Sequence, residues 1–232
     1  EMFDKKEIPD YIPKKHSIDE KTALLKFANN KDKISITWLG HAAFLIKLGD
    51  QHILTDPYLS KTAGPFGIGP NRFIPPGISV SNLPKINSIL ISHNHYDHLD
   101  IKSLIKISKK HPKAIFLVPA GDLKLLKRKR IKNAYEFKWW QSFKVSNFEF
   151  IFTPVQHWSK RSLFDRNKSL WGGWYIKHKE YSLYHAGDTG YSNDFKDTKI
   201  KLGSPKYAFI PIGCLLYTSD AADEGLGVDL GG

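Results

Sequence analysis

The sequence predicts an α/β sandwich, in which short strands alternate with helices around two sheets. Short apolar runs recur along the chain, and several of them lead directly into stretches with helical spacing. The composition, with 41% hydrophobic and 13% aromatic residues, is typical of a globular protein. We therefore expect one sizeable domain built from two sheets and the helices that cover them.

The first elements predict a β-meander. Ile36 and Trp38 alternate with polar neighbours from residue 34 onward and predict a half-buried strand. Turns that contain glycine then lead into two further strands, expected over residues 43–48 and 53–56.

The later elements follow from the same patterns. Strands are expected at residues 88–92, 114–118, 148–152, 174–178, 181–185 and 207–211, and helices at 18–27, 101–110 and 122–132. Residues 61–82 are rich in Gly and Pro and predict a long loop, of the kind that often forms a lid or a pocket wall.

The chain is basic, with 35 Lys and Arg against 23 Asp and Glu and a formal net charge of +12. Such a charge is compatible with a nucleic acid, an anionic membrane or an acidic substrate, and equally with a general bias towards lysine. The run Lys124–Arg130 predicts a helix with a basic face. We interpret this face as a solvated surface in preference to a docking patch for lipid or phosphate.

The domain boundaries are expected at residues 33 and 213. Residues 1–33 are polar and predict an N-terminal arm, and residues 34–213 form the predicted domain. Residues 214–232 contain no Lys or Arg and resemble the translation of an adapter used in sequencing libraries, so we interpret them as a non-native tail that interrupts the domain.

The composition also limits the cellular location and the kind of metal site. No apolar run reaches the roughly 18 residues of a transmembrane helix, so we expect a cytoplasmic protein or one bound peripherally to a membrane. The chain begins at Glu1, which leaves an exported form compatible with the sequence. The single cysteine, Cys214, excludes an internal disulfide and a thiolate-rich zinc site. Any metal chemistry must therefore use His and Asp.

Potential metal ligands are concentrated directly after the strand expected at residues 88–92. His93 and His95 are two positions apart, so they project from the same side of an extended segment. Asp97 and His98 follow where the chain turns towards a helix, and they could address a second ion close by. Imidazole and carboxylate are ligands that zinc accepts, so this cluster predicts a centre with two metal ions.

Two further candidates lie far away in the sequence. His157 and Asp188 each follow a predicted strand and lie near a Pro- or Gly-containing turn. Each is a weak signal alone, but strand ends on one edge of a sheet can converge on a single point. We therefore include both in the candidate site.

Several motifs together resemble the metallo-β-lactamase superfamily. They are Trp38-Leu39-Gly40-His41-Ala42, Leu54-Thr55-Asp56-Pro57, the cluster His93–His98, Gln156-His157-Trp158-Ser159 and Ala186-Gly187-Asp188-Thr189-Gly190-Tyr191. The stretch from Ser92 to Asp100, with Phe73-Ile74-Pro75-Pro76-Gly77 before it, is similar to the branch of phospholipases D that hydrolyse N-acyl-phosphatidylethanolamine. The resemblance covers roughly residues 34–213.

The resemblance implies a four-layer αβ/βα sandwich, incomplete at its C-terminal end, and a site for two divalent metal ions. Three imidazoles would bind the first ion, those of His93, His95 and His157. Asp97 and His98 would bind the second ion, and Asp188 would bridge the two. The family completes the second site with a further histidine, which this chain does not reach. Zinc is the preferred metal, with iron and manganese as alternatives.

The resemblance also implies how the site would react. A hydroxide that bridges the two ions would attack phosphorus in line with the leaving alkoxide. Asp97, Asp188 and His41 receive catalytic roles, with His41 as a substrate contact; a hydrogen-bonded turn histidine is an equal alternative for His41. Asp56 would support the site without binding metal, and His185 is interpreted as structural.

The sequence thus predicts a metal-dependent hydrolase, with phosphodiesters such as N-acyl phosphatidylethanolamine as the first choice of substrate. A lactonase or other ester hydrolase and a nuclease on the same ions are the alternatives, because this fold supports many reactions. A non-catalytic binding protein is disfavoured by the ligand set. The expected partners are a small-molecule or lipid phosphodiester and a membrane surface; nucleic acid is disfavoured, and no oligomeric state is predicted.

Overall fold

The computed structural model describes residues 17–212, and this part of the chain contains eleven strands, four α-helices and one 3-10 turn at Pro65–Gly67. The strands are β1 (Ile34–Gly40), β2 (Ala43–Leu48), β3 (Gln51–Thr55), β4 (Ser88–Leu90), β5 (Ile115–Pro119), β6 (Ala134–Phe137), β7 (Ser142–Val145), β8 (Phe148–Thr153), β9 (Gly173–His178), β10 (Ser182–His185) and β11 (Tyr207–Phe209). The helices are α1 (Glu20–Asn29), α2 (Ile101–Lys110), α3 (Leu123–Arg128) and α4 (Asp194–Leu202).

The strands form two sheets. The first has the order β1-β2-β3-β4-β5-β6, antiparallel from β1 to β3 and parallel from β3 to β6. The second has the order β11-β10-β9-β8-β7 and is antiparallel except for the parallel pair β10 and β11. The parallel strands of the first sheet bring the C-terminal ends of β3 and β4 to the same edge, where polar side chains can meet.

Three apolar clusters separate four layers, and they confirm the predicted αβ/βα sandwich. Between the helices α1 to α3 and the first sheet lie Leu45, Leu54 and Leu104 with their neighbours. A second cluster, which includes Phe152 and Trp174, fills the space between the two sheets. The third lies between the second sheet and α4. Each helix thus buries one face against a sheet, which is the usual way such layers are stabilised.

The segment expected to be an arm contains α1, which packs on the domain. Asp19 caps this helix by accepting a hydrogen bond from the Thr22 backbone N–H at 2.9 Å. Ala23 is buried in the cluster between the helices and the first sheet, and Phe27 packs against the same cluster. Residues 1–16 of the expected arm lie outside the described residues, as does the expected tail at 214–232.

The face that β1 buries differs from the prediction. The alternating apolar side chains were expected to face the core, yet Trp38 is 55% exposed and Ile36 is also exposed, whereas Leu39 is buried. β1 is the edge strand of its sheet and pairs only with β2, so fewer neighbours reach its outer side chains. An irregularity between Trp38 and Gly40 then turns Leu39 into the core beneath the helices.

The region after β5 also differs from the prediction. The helix expected to reach residue 132 ends at Arg128, because Arg130 adopts a positive φ of 63° and Ile131 N donates to Leu126 O at 3.1 Å. Ile131 turns back into the core, where it is buried. The four-residue strands β6 and β7 were not predicted, because patterns this short carry little periodic signal.

None of the helices in residues 17–212 combines the length and the apolar character that a bilayer span needs.

Candidate metal centre

Every predicted site residue lies just after a strand, and the structure brings them together at one edge of the sandwich. The first sheet supplies Asp56 after β3 and the cluster His93–His98 after β4. The second sheet supplies His157 after β8 and Asp188 after β10. The site is therefore built across the interface between the two sheets.

Three imidazoles form the first ligand set. His93 Nε2 lies 2.8 Å from His95 Nδ1, and His157 Nε2 lies 3.2 Å from the former and 3.3 Å from the latter. Zinc with bonds of about 2.0–2.1 Å to tetrahedral nitrogens would hold those nitrogens about 3.3 Å apart. The three residues thus have the donor chemistry and close to the spacing that a zinc ion needs.

Hydrogen bonds fix the tautomer of His93. Ser92 Oγ donates to Asp56 Oδ2 at 2.7 Å, so it accepts a hydrogen bond from His93 Nδ1 at 2.9 Å. The proton on Nδ1 leaves His93 Nε2 with a free lone pair that faces the other two imidazoles.

The protonation of this set suits metal binding. Burial and the neighbouring imidazoles lower the pKa of His93 well below its usual value. Burial likewise lowers the pKa of His95, and it lowers that of His157 to about 4. All three rings are therefore neutral at pH 7, which is the form that binds a metal ion.

A second ligand set lies beside the first. His41 Nε2 donates to Asp97 Oδ2 at 2.9 Å, and one ligand atom from each of His41, Asp97 and His98 lies within 4.8 Å of the others. His98 Nε2 is buried without a hydrogen-bond partner among the described residues and lies 3.3 Å from Asp188 Oδ2. A buried ring nitrogen that lacks a hydrogen-bond partner and lies next to carboxylates is suited to bind a cation.

Asp188 lies between the two sets. One oxygen of its carboxylate lies within 4.8 Å of a ring nitrogen of His93, from the first set, and of a ring nitrogen of His98, from the second. Burial raises the pKa of the Asp188 carboxyl, but the neighbouring His98 and His157 outweigh burial, so the pKa is lowered overall. The pKa of Asp97 is also lowered, because the hydrogen bond from His41 and the charge of His98 outweigh burial. Both carboxylates are ionised at neutral pH and available to metal ions.

Asp56 connects the two sheets beneath the ligands. It is fully buried, and its carboxylate accepts from Ser92 N at 2.7 Å, from His98 Nδ1 at 2.9 Å and from His185 Nε2 at 2.8 Å. Burial would raise its pKa, but the two histidines lower it below the usual range. The proton on His98 Nδ1 directs Nε2 of the same ring towards the second set, as in the carboxylate–histidine–metal arrangements of metal proteins.

The ligands from the second sheet are held by a close backbone approach. Gly187 has a φ of 65°, and a Cβ there would lie 2.5 Å from Ser92 Cβ. Gly190 N donates to Gln156 O at 3.0 Å, and Gln156 N donates to Thr189 Oγ1 at 3.1 Å. The turn that carries Asp188 is thereby fixed to the segment that carries His157.

Two clefts meet at the site, and His41 lines both. The first, of about 580 Å³, contains Asp97 and is lined by aromatic and basic side chains, among them Trp38, Tyr58, Phe73, Tyr96, Trp158, Arg72 and Lys160. The second, of about 430 Å³, contains Asp188 and is mostly apolar, with Phe44 and Phe209 in its wall. The candidate ligands His95, Asp97 and Asp188 therefore line clefts that open to the outside.

Two important residues were not singled out from the sequence. Ser92 bonds both His93 and Asp56, and its position directly before the first ligand at a strand end could have indicated it. Arg161 donates to two backbone carbonyls of the ligand cluster. Nothing in the sequence distinguishes it from the other basic residues of a Lys-rich chain.

Comparison with known proteins places the chain in a family. Residues 51–221 match the family described as the Beta-lactamase superfamily domain. The chain is 36% identical over 199 residues to an N-acyl-phosphatidylethanolamine-hydrolyzing phospholipase D of Saccharomyces cerevisiae, a match that covers 83% of this chain and 42% of that protein. It is 30% identical to a metal-dependent hydrolase of Koribacter versatilis, covering 85% of this chain and 79% of that protein.

A solved structure shows the same fold. A metallo hydrolase from the archaeon Ignicoccus hospitalis superposes with a TM-score of 0.58 at 22% identity, covering 78% of this chain and 71% of that chain. The chain spans about half the length of the first curated relatives that it matches, including 50% of a mycobacterial protein and 53% of a Caenorhabditis elegans phospholipase D. The chain belongs to the metallo-β-lactamase superfamily.

Proposed function

We propose that the protein hydrolyses a phosphodiester, with an N-acylated phospholipid as the substrate class, at a centre of two divalent metal ions. The observation that carries the proposal is the convergence of two sets of candidate ligands, with Asp188 close to His93 of the first set and to His98 of the second. The 36% identity to a phospholipase D that hydrolyses N-acyl-phosphatidylethanolamine supports this substrate class.

The residues of the chain divide the chemical tasks. His93, His95 and His157 would hold one ion and Asp97 with His98 the other, with Asp188 between them. Two such ions supply Lewis acidity and lower the pKa of water towards neutrality. The chain itself orients the ligands, since Asp56 fixes His98 and Ser92 fixes His93. His41 lies at the junction of the clefts, where its ring can orient Asp97 and contact the substrate.

The cleft beside Asp97 suits an amphiphilic phosphodiester. Its aromatic wall can contact an acyl chain, and Lys160 can offer a positive charge to a phosphate. Arg72, in the same cleft, is already engaged, because its guanidinium donates to the carbonyls of Leu39, Tyr58 and Ile74. Among the described residues no carboxylate lies within 4.0 Å of the Lys160 ammonium, so Lys160 is the cation that we assign to the substrate.

Two loops beside this cleft support contact with a membrane surface. Phe66 is 96% exposed in the loop over residues 61–82, and Phe164 is 84% exposed in the loop over residues 158–171. Both loops supply residues to the cleft wall. Both loops also contain lysines, and exposed aromatic side chains in basic loops are suited to insertion at an anionic lipid surface.

The substrate proposal is tested by comparing three reactions. The purified protein, loaded with zinc or manganese, is offered N-acyl phosphatidylethanolamine, an acyl homoserine lactone and single-stranded DNA. We expect release of phosphatidic acid and a reduction of at least about tenfold in kcat/KM for the lipid in Lys160→Gln. Lactone opening without phosphodiester turnover would favour the ester hydrolase, and DNA cleavage would favour the nuclease.

Membrane contact is tested separately by sedimentation with vesicles of phosphatidylcholine and phosphatidylglycerol. We expect the variant with Phe66→Ser and Phe164→Ser to bind these vesicles at least about tenfold more weakly than the parent, because burial of exposed aromatic area is lost. Ile200→Ser is the control, since Ile200 is exposed on α4 and lines neither cleft. Equal binding by the double variant and the parent would contradict contact through these loops.

A further inference from the structure

Arg161 lies outside both ligand sets but contacts the segment that carries half of the ligands. Its Nη1 donates to Asn94 O at 2.8 Å and to Leu99 O at 2.8 Å. These two carbonyls flank His95, Asp97 and His98 in the chain. One nitrogen therefore fixes both ends of the turn that carries three candidate ligands.

The contact between Arg161 and this turn is reciprocal. Tyr96 Oη donates to Arg161 O at 2.9 Å, and the guanidinium carbon lies 4.0 Å from the centre of the Tyr96 ring. The turn is also closed from within, since Leu99 N donates to His95 O at 2.9 Å. The guanidinium thus stabilises, from outside, a turn that also has an internal hydrogen bond.

The loop that carries Arg161 has an internal hydrogen-bond network. Asp165 Oδ1 accepts from Arg161 N at 2.9 Å and from Ser162 N at 2.7 Å. Ser159 Oγ donates to Ser169 O at 2.6 Å and closes the base of the loop. Arg161 therefore projects from a braced loop, although Leu163 and Phe164 at its tip are exposed.

A second connection joins the same loop to the ligand turn. Ser169 Oγ donates to Asp122 Oδ1 at 2.8 Å, and Asn94 Nδ2 donates to the same oxygen at 3.2 Å. The backbone carbonyl of Asn94 thus accepts a hydrogen bond from Arg161, and its side-chain amide donates one to Asp122. His157, the third ligand of the first set, lies four residues before Arg161.

Arginine suits this position better than lysine. Among the described residues no carboxylate lies within 4.0 Å of the guanidinium, so its N–H groups are available to backbone carbonyls. A planar guanidinium can direct two N–H bonds from one nitrogen to two acceptors and stack on Tyr96 at the same time.

We propose that Arg161 is a positioning residue that holds the 94–99 turn against the segment of His157 and thereby sets the affinity and geometry of the metal centre. Two of the three candidate ligands of the first ion, His95 and His157, come from these two segments, and Arg161 links them. The inference rests on the metal centre of the proposed function, but it does not depend on which substrate is hydrolysed.

The test compares Arg161→Lys with the parent in metal affinity, measured by competition with a chromophoric chelator, and in the visible spectrum of the cobalt-substituted protein. We expect the dissociation constant to rise about 10- to 100-fold, as for other residues that orient metal ligands, and the cobalt bands to shift. Arg128→Lys is the matched control, since Arg128 is exposed on α3.

A milder variant keeps the test decisive if Arg161→Lys does not fold. Asp165→Asn weakens the hydrogen bonds that brace Arg161 and alters no residue of the two clefts. We expect a smaller rise in the metal dissociation constant, of about threefold or more. Unchanged affinity and cobalt bands in whichever of the two variants folds would overturn the proposal, even if that variant melts at a lower temperature. A parent protein that binds no metal would instead contradict the metal centre itself.

Discussion

The carboxylate of Asp56 is a centre of hydrogen bonding in the site. It accepts hydrogen bonds from the Ser92 backbone and side chain, from His98 and from His185. The backbone at this position has a φ of 36°, which is unusual for a residue with a side chain. Such backbone is tolerated where the surroundings fix it, as four hydrogen bonds do here.

We predict that Asp56→Asn weakens metal binding although Asp56 binds no ion in our assignment. The amide cannot accept from all four donors, so His98 loses its orientation and a buried charge pair is broken. We expect a 10- to 100-fold higher metal dissociation constant and a loss of about 3–5 kcal/mol in unfolding free energy. Chelator competition and chemical denaturation measure the two effects. Asp50→Asn, in an exposed turn, is the control, and affinity within twofold of the parent would show that Asp56 does not orient a ligand.

Measuring the number of bound metal ions distinguishes two roles for His41, support of the second ion and contact with the substrate. Its Nε2 donates to Asp97 Oδ2 at 2.9 Å, and the ring belongs to the second ligand set, whose ligand atoms lie within 4.8 Å of one another. We expect His41→Ala to keep the first ion and to bind the second about tenfold more weakly, because Asp97 loses its partner. Elemental analysis after dialysis at graded metal concentrations gives the stoichiometry. If both ions are retained with parental affinity while turnover falls, His41 contacts only the substrate.

At the level of elements, the sequence indicates those with a strong periodic pattern. Helix α2 and the strand β8 were placed correctly, because each has several apolar residues at regular spacing. The strand β6 has no alternation, with two exposed residues between two buried ones, so only its pairing with β5 defines it. For β1 the alternation was real, but the buried face depends on neighbours that no local pattern describes.

The same limit applies to the candidate site. The cluster His93–His98 was visible because its members are close in sequence and follow an apolar run. His157 and Asp188 could be proposed from their positions at strand ends. The contact of Ser92 with Asp56 and that of Arg161 with Asn94 could not be derived, since they depend on the distance between segments that are far apart in the chain.

The start of α3 offers a prediction about pH. Asp122, the residue before this helix, is buried, and burial raises the pKa of its carboxyl to about 7 despite hydrogen bonds from Ser169 and Asn94. The folded protein therefore keeps a proton that the unfolded chain releases near pH 4. Between these values the folded state binds more protons, so the unfolding free energy falls as the pH rises.

Asp122→Asn should remove this loss, because the amide resembles the protonated carboxyl in shape and carries no charge. We expect the stability of the variant relative to the parent to improve by about 2 kcal/mol between pH 5 and pH 8, which is about 4–8 °C in melting temperature. Melting curves of both proteins, in the presence of a chelator to remove metal effects, measure this difference. A constant difference across the pH range would show that Asp122 is ionised in the folded protein throughout.

For the whole molecule, the candidate metal centre lies where the two sheets meet. Asp56 and the His93–His98 cluster follow strands of the first sheet, whereas His157 and Asp188 follow strands of the second. The apolar cluster between the sheets, with Trp174 and Phe152 in its centre, holds the layers together over most of their area. At the edge that carries the site, the sheets are instead connected by polar contacts, such as the hydrogen bond from Trp174 Nε1 to Ile91 O at 2.8 Å, and by any bound ion.

Metal removal should therefore destabilise the whole domain and not only the site. A ligand that binds the folded state alone, at 100 times its dissociation constant, contributes about 2.7 kcal/mol, which is about 5–10 °C in melting temperature for a domain of this size. We expect the purified protein to melt lower by this amount after treatment with a chelator, and to recover when zinc or manganese is added. His157→Ala is the control, because it removes a ligand that crosses between the sheets; the chelator should shift its melting temperature by less than half as much. Elemental analysis must confirm that the metal has gone. If it has, and the parent still melts within about 1 °C of the loaded protein, the ion does not join the two sheets.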